Sequence, residues 1–438
     1  MTGRICASLS SYTGKEDLSD TDLVEIRLDL IGKVPDIPDK ELLVTFRNGI
    51  DLSILPKDFN GMIDIGEEPR PVTDLRVVSS YHDYEATPSE DRILEKLNSM
   101  TGDIRKGAFS VKGFTDLHNI YNVSKRIGKP HVLLGMGEFG AVTRIRKDIL
   151  NNEFSFGYIG EPTAPGQFSV KEMKELGDGC IITGIIGDPL SKSKSPQMQN
   201  AAFRNCGIRG TYLRFETSDL AHAADVIREY NIRGTNVTIP HKHNIIDQLD
   251  CLDKAAEKAG AVNTIVNDEG HLKGYNTDII GIETSLSRAG FDPKGKRAVI
   301  MGSGGAARAC TYLLTEKGCR VTITGRNDAT GRGLAKEFGC EFKSGGSVSV
   351  QMHDLIVNCT PVGMYGNGDY PLRLDHLNRD HTVFDMVYGK NTPILSKAIS
   401  VGAKTATGED MLAGQGAASF ELWTGRNGQF DIMRSVLQ

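Results

Sequence analysis

The stretch VIMGSGGAARAC, residues 299–310, constrains the fold of this chain more than any other. It reads as a short apolar strand, a glycine-rich turn and the opening of a helix. Gly302, Gly304 and Ala307 satisfy the pattern G-x-G-x-x-G/A, in which glycines let a pyrophosphate approach the backbone at a helix N-terminus. Such a unit needs a parallel sheet with crossover helices, so the fold class is α/β. In most chains built on this unit the pattern lies near the start, whereas here about 300 residues precede it. A length of 438 residues leaves room for more than one domain.

Those preceding residues carry a strand pattern of their own. Through residue 177, eight short β-type runs recur: ICASL, LVEIRLDL, LLVTF, MIDI, RVVSSY, AFSV, HVLLGM and FSFGYI. Helical signals lie between the later ones. In TPSEDRILEKLNSM, Thr87 is the expected N-cap, Pro88 the first helical residue and Glu90 the partner in a capping box. TDLHNIYNVSKRIG sets Leu117, Ile120, Tyr121 and Ile127 on one face and stops at Gly128, and Ser169 with Glu172 forms another capping box. Eight strands with interleaved helices predict a (β/α)8 barrel. It is a trimmed one, because IGKVPDIPDKE and DLSILPKDF are too short and proline-broken for full helices. The linker is expected at GDGC, 177–180, after which a new series begins with IITGIIG, GTYLRFE, RGTNVTI, NTIVN and GHLKGYN.

A net charge of -5 gives no basic footprint for nucleic acid, and no apolar run approaches the roughly 18 residues of a membrane span. The first residues show no signal-peptide pattern. Eight scattered cysteines with no C-x-x-C pair argue against zinc and against a disulfide framework, so no metal is expected and a reducing cytoplasm is.

The ordered motifs GDPLSKSKSP, NVTIPHK, GAVNT, GYNTD, MGSGGAARA, NCTPVGM, DMVYGKNTP and GEDMLAGQ, over residues 181 to about 425, resemble the shikimate dehydrogenase family. Chemically, reduction of a ketone builds charge on its oxygen, and a proton donor must stand beside it. The resemblance assigns Lys242 and Asp278 as that catalytic pair. It implies that Ser193 and Ser195 hold a substrate carboxylate, and that Thr238, Asn263, Asp278 and Gln415 hold its hydroxyls and carbonyl. Tyr388 is either a wall of the site or plain core. The expected divisions are an α/β substrate domain over 181–283, on which the helices of 409–438 pack back, and a Rossmann-like NADP domain over 284–408.

The expected cofactor set is Gly302, Ser303, Gly304, Gly305, Ala306, Arg326, Asn327 and Thr360. An NAD enzyme places an acidic side chain about 20 residues after the glycines. Here the strand RVTIT ends in Gly325, Arg326 and Asn327, and the Arg326 guanidinium suits a 2′-phosphate. The family's second basic residue, four positions on, is Thr330 here, with Arg332 as a stand-in and Asp328 nearby as an opposing charge. NADP is the expected cofactor.

The motifs VEIRLD, VTFR, SSYHD, DIRKGAFSVKGFTD, GAVTRI and APGQF, over residues 1–177, resemble in order the type I 3-dehydroquinate dehydratases. Their product is the substrate of the shikimate dehydrogenases. A lysine Schiff base acidifies the carbon beside a ketone, and a histidine can then take its proton. His82, closing the fifth strand at the barrel end where active sites lie, is the expected base. Lys106 and Lys112 share parity on the sixth strand. Asp103-Ile104 and Asp116 match the family register for Lys106, which leaves Lys112 a rim charge or a substrate contact. Glu25 and Arg27 alternate inward on the second strand, and Arg47 ends the third. The resemblance puts Glu25 and Arg47 at substrate hydroxyls, and Arg144, Thr163 and Gln167 at the carboxylate end and closing loop. Two positions depart from the family: Asp51 stands where a glutamate supports the histidine, and Thr163 where serine is usual.

The expected enzyme is therefore bifunctional in the shikimate pathway of aromatic amino acid biosynthesis: dehydration, then NADPH-dependent reduction of small-molecule substrates. Two alternatives remain: a dehydrogenase acting on quinate with NAD, and a non-catalytic regulator that senses metabolites. A regulator would be free to lose Lys106, His82, Lys242 and Asp278, and all four are present.

Overall fold

A computed structural model of the chain describes residues 3–47, 49–162, 166–364, 369–389 and 392–437. Two compact units result: residues 1–190 with 208–233, and residues 191–207 with 234–438. No helix among the described residues is long and apolar enough to cross a membrane.

The first unit contains eight parallel strands: β1 (Arg4–Leu9), β2 (Leu23–Arg27), β3 (Glu41–Thr45), β4 (Met62–Asp64), β5 (Arg76–Asp83), β6 (Ile104–Ser110), β7 (His131–Met136) and β8 (Phe154–Tyr158). Their order, β7-β6-β5-β4-β3-β2-β1-β8, is that of a nearly closed barrel. At the seam, Asn152 stands in for a ladder: its Oδ1 accepts the Leu133 N–H at 2.8 Å, and its Nδ2 donates to the Leu133 carbonyl at 3.0 Å. Strand alternation layers the interior. Cys6, Leu23, Leu43, Met62, Val78, Ile104, Val132 and Phe154 form an apolar floor. Two residues further along six of these strands stand Ser8, Glu25, Thr45, Asp64, Ser80 and Lys106, and four further stand Arg27, Arg47 and His82. An apolar base thus carries a polar, ionisable layer towards the C-terminal ends of the strands.

The helices are trimmed where expected. A four-residue helix, Leu28–Ile31, follows β2, and a 3-10 turn, Leu52–Ile54, follows β3. The predicted cap at Thr87 is corrected. The helix is Glu90–Ser99 with Ser89 at its N-cap, while the Thr87 hydroxyl donates to the Ser110 carbonyl at the end of β6. A tertiary bond outcompetes the local one. The capping box of Ser169 and Glu172 forms in full ahead of the helix Val170–Leu176.

The stretch 177–180 is tied down rather than free. Lys147 Nζ lies 2.6 Å from Asp178 Oδ1, and the buried Arg146 guanidinium donates to the carbonyls of Cys180, Tyr230 and Asn231. The Tyr230 hydroxyl donates to the Leu117 carbonyl of the barrel helix Phe114–Arg126. So β9 (Ile181–Gly187), its parallel neighbour β10 (Gly210–Glu216) and the helix Ala223–Glu229 share a unit with the barrel.

The second unit holds the helix Ser195–Asn205 and then β11 (Gly234–Val237), β12 (Cys251–Leu252), β13 (Thr264–Asp268) and β14 (His271–Tyr275), of which β13 runs antiparallel to both β11 and β14. Then come β15 (Arg297–Met301), β16 (Arg320–Thr324), β17 (Glu341–Phe342), β18 (Leu355–Asn358), β19 (Thr382–Asp385) and β20 (Lys404–Thr407), parallel in the order β17-β16-β15-β18-β19-β20. Ala298 and Ile300 enter one core and Val299 and Met301 the other, so both faces of this sheet are covered. The order reverses between β15 and β18, which opens a crevice at their C-terminal ends. The helix Asp278–Arg288 crosses the helix Gly408–Thr424 closely. A Cβ at Gly281 would meet the Met411 carbonyl at 2.4 Å, and one at Gly414 would meet Thr284 at 3.0 Å.

Candidate active sites

In the barrel, Lys106 Nζ is buried 3.2 Å from Asp64 Oδ2, 3.8 Å from Glu25 Oε1 and 4.4 Å from the centroid of the Phe156 ring. Both carboxylates are fixed by hydroxyls: Ser8 and Thr45 donate to Glu25 at 2.5 and 2.8 Å, and Ser80 to Asp64 at 2.6 Å. Burial opposes ionisation of Asp64. The Lys106 ammonium, the Ser80 hydroxyl, the Gly66 N–H and Arg47 outweigh it and hold the carboxyl below its ordinary range.

His82 Nε2 lies 3.4 Å from Arg47 Nη2. A guanidinium only donates, so this nitrogen carries a lone pair. Burial, then the charges of Lys106 and Arg47, push the ring's pKa down to about 3. The imidazole is therefore neutral at physiological pH, as a base must be. Tyr84 stacks on it, ring centroids 5.9 Å apart, and both rings line a cavity of about 250 Å³ with Arg47, Ser80 and Gly66. Protonating His82 would destroy the base, but its depressed pKa keeps that event in strong acid. The pH profile of dehydration is expected to lack a histidine limb between about pH 5 and 8; an acid limb near 6.5, the ordinary histidine value, would show that His82 titrates normally or is not the base.

The other described candidates take different partners. Arg27 forms a two-pronged pair with Asp29, at 2.9 and 2.6 Å. Asp51 is exposed and caps the 3-10 turn through Ser53, so its carboxylate does not support His82; one methylene short, it serves its own loop. Lys112 is exposed beyond the end of β6, with its N–H on Asp116, so the sixth strand places only Lys106 in the interior. Arg144 is buried, donates to the Phe156 carbonyl at 3.3 Å, and has no carboxylate partner among the described residues; burial lowers its pKa to about 10. Gln167 is half-buried, and Thr163 falls outside the described residues. Asp64, which the sequence reading omitted, sits in MIDI at the alternation step that β4 turns inward.

In the second unit, Lys242 Nζ lies 2.5 Å from Asp278 Oδ2, and Asn263 Nδ2 donates to Asp278 Oδ1 at 2.8 Å. Asn263 is held in turn: its Oδ1 accepts the Thr277 N–H at 2.7 Å, and a hydroxyl cluster of Thr264, Thr277 and Ser419 packs beneath it. These three were not singled out in the sequence, although Thr264 and Thr277 end GAVNT and precede the aspartate of GYNTD. The close crossing at Gly281 brings Gln415 against the first turn of the helix that Asp278 opens. Ser195 is buried with its N–H on Ser193 Oγ at 3.3 Å, Thr238 is half-buried and Tyr388 is 37 % exposed; none of them bonds Lys242 or Asp278 through its side chain.

At the crevice, Gly302 has φ 114°, and a Cβ there would lie 3.2 Å from Thr360. No protein atom lies within 4 Å of a Cβ built on Gly304 or Gly305, so packing does not explain these glycines. Their place at the start of the helix Gly305–Glu316, beside half-buried Ala306, fits a pyrophosphate. Ser303 Oγ lies 2.8 Å from Thr330 Oγ1, and the Thr360 hydroxyl donates to Asn358. Asn327 is committed to capping the helix Asp328–Glu337. Arg332 lies 3.4 Å from Asp328 and over the Phe342 ring. That pairing also answers the charge of Asp328. Arg326 is exposed, without an ion pair among the described residues.

A barrel with a caged lysine, and a nucleotide crevice in a unit that carries a lysine–aspartate pair, define a lyase joined to an oxidoreductase. Residues 63–177 match the type I 3-dehydroquinase family, 185–265 the shikimate dehydrogenase substrate binding domain and 408–438 the shikimate 5'-dehydrogenase C-terminal domain. A shikimate dehydrogenase (NADP(+)) of Dehalococcoides mccartyi (strain CBDB1) is 41% identical over 269 residues, 58% of this chain and 93% of that protein. The crystal structure of shikimate 5-dehydrogenase from Thermus thermophilus, in complex with NADP(H) and shikimate, aligns with TM-score 0.54 and 33% identity over 59% of this chain and 98% of that one. A dehydroquinate dehydratase and shikimate dehydrogenase from S. pombe shares the fold over 100% of this chain and 98% of its own, with TM-score 0.52 and 21% identity. The chain belongs to the shikimate dehydrogenase family, with a type I 3-dehydroquinase domain ahead of that part.

Proposed function

We propose that the barrel dehydrates 3-dehydroquinate through a Schiff base on Lys106, and that the second unit reduces the resulting 3-dehydroshikimate to shikimate with NADPH. The observation that carries this is the Lys106 amine, buried between two fixed carboxylates in the same barrel interior as the neutral His82. Lys106 gives up a proton, its nitrogen attacks the ketone carbon, and loss of water leaves an iminium. The positive charge stays on one nitrogen as ammonium becomes iminium, so Asp64 and Glu25 remain matched to it. His82 takes the proton from the adjacent carbon and returns it to the β-hydroxyl, which leaves as water, and hydrolysis frees the lysine. Arg144, a buried cation without a carboxylate, receives the substrate's carboxylate.

In the second reaction, bound NADPH supplies the hydride. Lys242 gives a proton to the carbonyl oxygen, and Asp278, steadied by Asn263, orients that lysine and accepts from a substrate hydroxyl. Ser193 and Ser195 take the carboxylate, and Thr238 and Gln415 the remaining polar groups. Arg326 takes the 2′-phosphate. Arg326→Ala is expected to raise KM for NADPH roughly 10-fold or more, the loss of about 1.4 kcal/mol or more of a charge-assisted contact, and to leave NADH nearly unchanged. Equal loss with both cofactors would make Arg326 structural.

Purified chain given 3-dehydroquinate alone should form a conjugated enone, and with NADPH added should form shikimate. Failure to form the enone would refute the barrel assignment, and enone without shikimate the second.

A further inference from the structure

Side-chain alternation on β8 puts Phe154 in the apolar floor and Phe156 on the same face, one step nearer the C-terminal end of the strand. The Phe156 ring is 7% exposed and braced by Phe154, centroids 5.4 Å apart and 68° from parallel. Its carbonyl accepts from Arg144 at 3.3 Å, which pins the strand at this residue. Lys106 Nζ lies over the ring, 4.4 Å from its centroid. Asp64 and Glu25 approach the same nitrogen at 3.2 and 3.8 Å. Leucine and valine fill other floor positions, at Leu23, Leu43, Val78 and Val132, so filling space does not by itself call for a ring here.

We propose that Phe156 is a catalytic residue of the dehydration: its ring face holds the iminium on Lys106 by a cation–π contact, and holds it more tightly than the resting ammonium. This rests on the Schiff base assigned to Lys106 above. When ammonium and ketone become iminium and water, no net proton is gained or lost, but two of the three N–H donors of the lysine disappear. Asp64 and Glu25 keep their Coulombic attraction and lose hydrogen bonds. A π-face needs no N–H. Its quadrupole acts on positive charge wherever that charge sits, including the carbon that shares it in a flat iminium. The relative contribution of Phe156 therefore rises as the intermediate forms, which is the condition for an interaction to speed the reaction.

The surroundings favour a ring over another anion. Lys106, Asp64 and Glu25 are each buried, so one positive charge already faces two carboxylates. A third carboxylate at position 156 would be a buried anion with no cation of its own. A cation–π contact is also strongest where water is excluded, as it is around these side chains. In the sequence the residue reads as plain core, because nothing in FSFGY marks which ring meets a charge on another strand.

The test replaces Phe156 in the full-length chain by 4-fluoro-, 3,5-difluoro- and 3,4,5-trifluorophenylalanine. This series drains negative charge from the ring face and nearly keeps its size, so packing and fold are retained. Each protein is held with 3-dehydroshikimate at the concentration that half-converts the parent, then quenched with borohydride. The fraction reduced on Lys106 is read by mass spectrometry. The ratio of iminium to free lysine should fall with each fluorine, by roughly 10-fold over the series, and kcat for dehydration should fall in the same order. Phe156→Leu, checked for folding by circular dichroism, should lose at least as much as the trifluorinated ring. A fluorine series flat in either measure would overturn the assignment and leave the Schiff base standing, since a ring that only fills space does not respond to its own charge distribution. No adduct in the parent would refute the Schiff base itself, and this inference with it.

Discussion

Lys106→Met is expected to abolish dehydration of 3-dehydroquinate, by roughly 10⁴-fold or more in kcat as for other lost nucleophiles, and to leave reduction of supplied 3-dehydroshikimate intact. No other lysine of the barrel interior can replace it, since Lys112 lies exposed past the strand end. Borohydride added with 3-dehydroquinate should fix a reduced adduct on the peptide carrying Lys106; an adduct on Lys112 would overturn the assignment. The same substitution should destabilise the fold. It strips the cation from Asp64 and Glu25, both buried, and breaking a buried ion pair typically costs about 3–5 kcal/mol. Lys106→Met/Asp64→Asn should recover part of that stability and none of the activity, because it removes an uncompensated charge without restoring a nucleophile. If urea melts showed the single variant as stable as the parent, the carboxylates would not be held ionised by Lys106.

Alternation made much of the barrel site legible. Leu23, Glu25 and Arg27, or Ile104, Lys106 and Ala108, declare in one short run which face is interior, and a charge at that parity stands out. Asp64 escaped because MIDI is only three strand residues plus one, too short to show its period, and its partner lies 42 positions away. Local competition hid other pairings. Asp51 finds Ser53, Arg27 finds Asp29 and Arg332 finds Asp328, each within a few residues, and no strand pattern reveals which short-range bond wins. In the second unit, the glycines of the fingerprint were legible, whereas Gly281 and Gly414 read only as small residues in helices. Their role is the approach of two helices that are far apart in sequence, and that approach sets Gln415 beside the start of the Asp278 helix.

Separate chemistry in the two units leads to the second large effect. Lys242→Ala is expected to lower kcat for reduction of 3-dehydroshikimate by roughly 10²–10⁴-fold, the usual contribution of a positioned proton donor. Asp278 keeps Asn263 as a donor in that variant, so its carboxylate stays oriented and a hydroxyl of the substrate can still be held. The loss should therefore fall mainly on kcat, with a smaller change in KM. Given 3-dehydroquinate and NADPH, the variant should accumulate 3-dehydroshikimate, because Lys106, Asp64, Glu25 and His82 are all supplied by the other unit. His82→Ala should do the reverse, stopping enone formation while reduction of supplied 3-dehydroshikimate continues at the parent rate. The two substitutions act on residues of different units, so their effects should combine without interaction. Cutting the chain at 177–180 is expected to be less clean than either substitution. The cut frees Arg146 from the carbonyls of Cys180, Tyr230 and Asn231, leaving a buried guanidinium without acceptors in the barrel fragment. That fragment should lose thermal stability even where it keeps some dehydratase activity. If either point variant, folded by circular dichroism, lost both activities, the two reactions would share catalytic residues, and the assignment of one centre to each unit would fall.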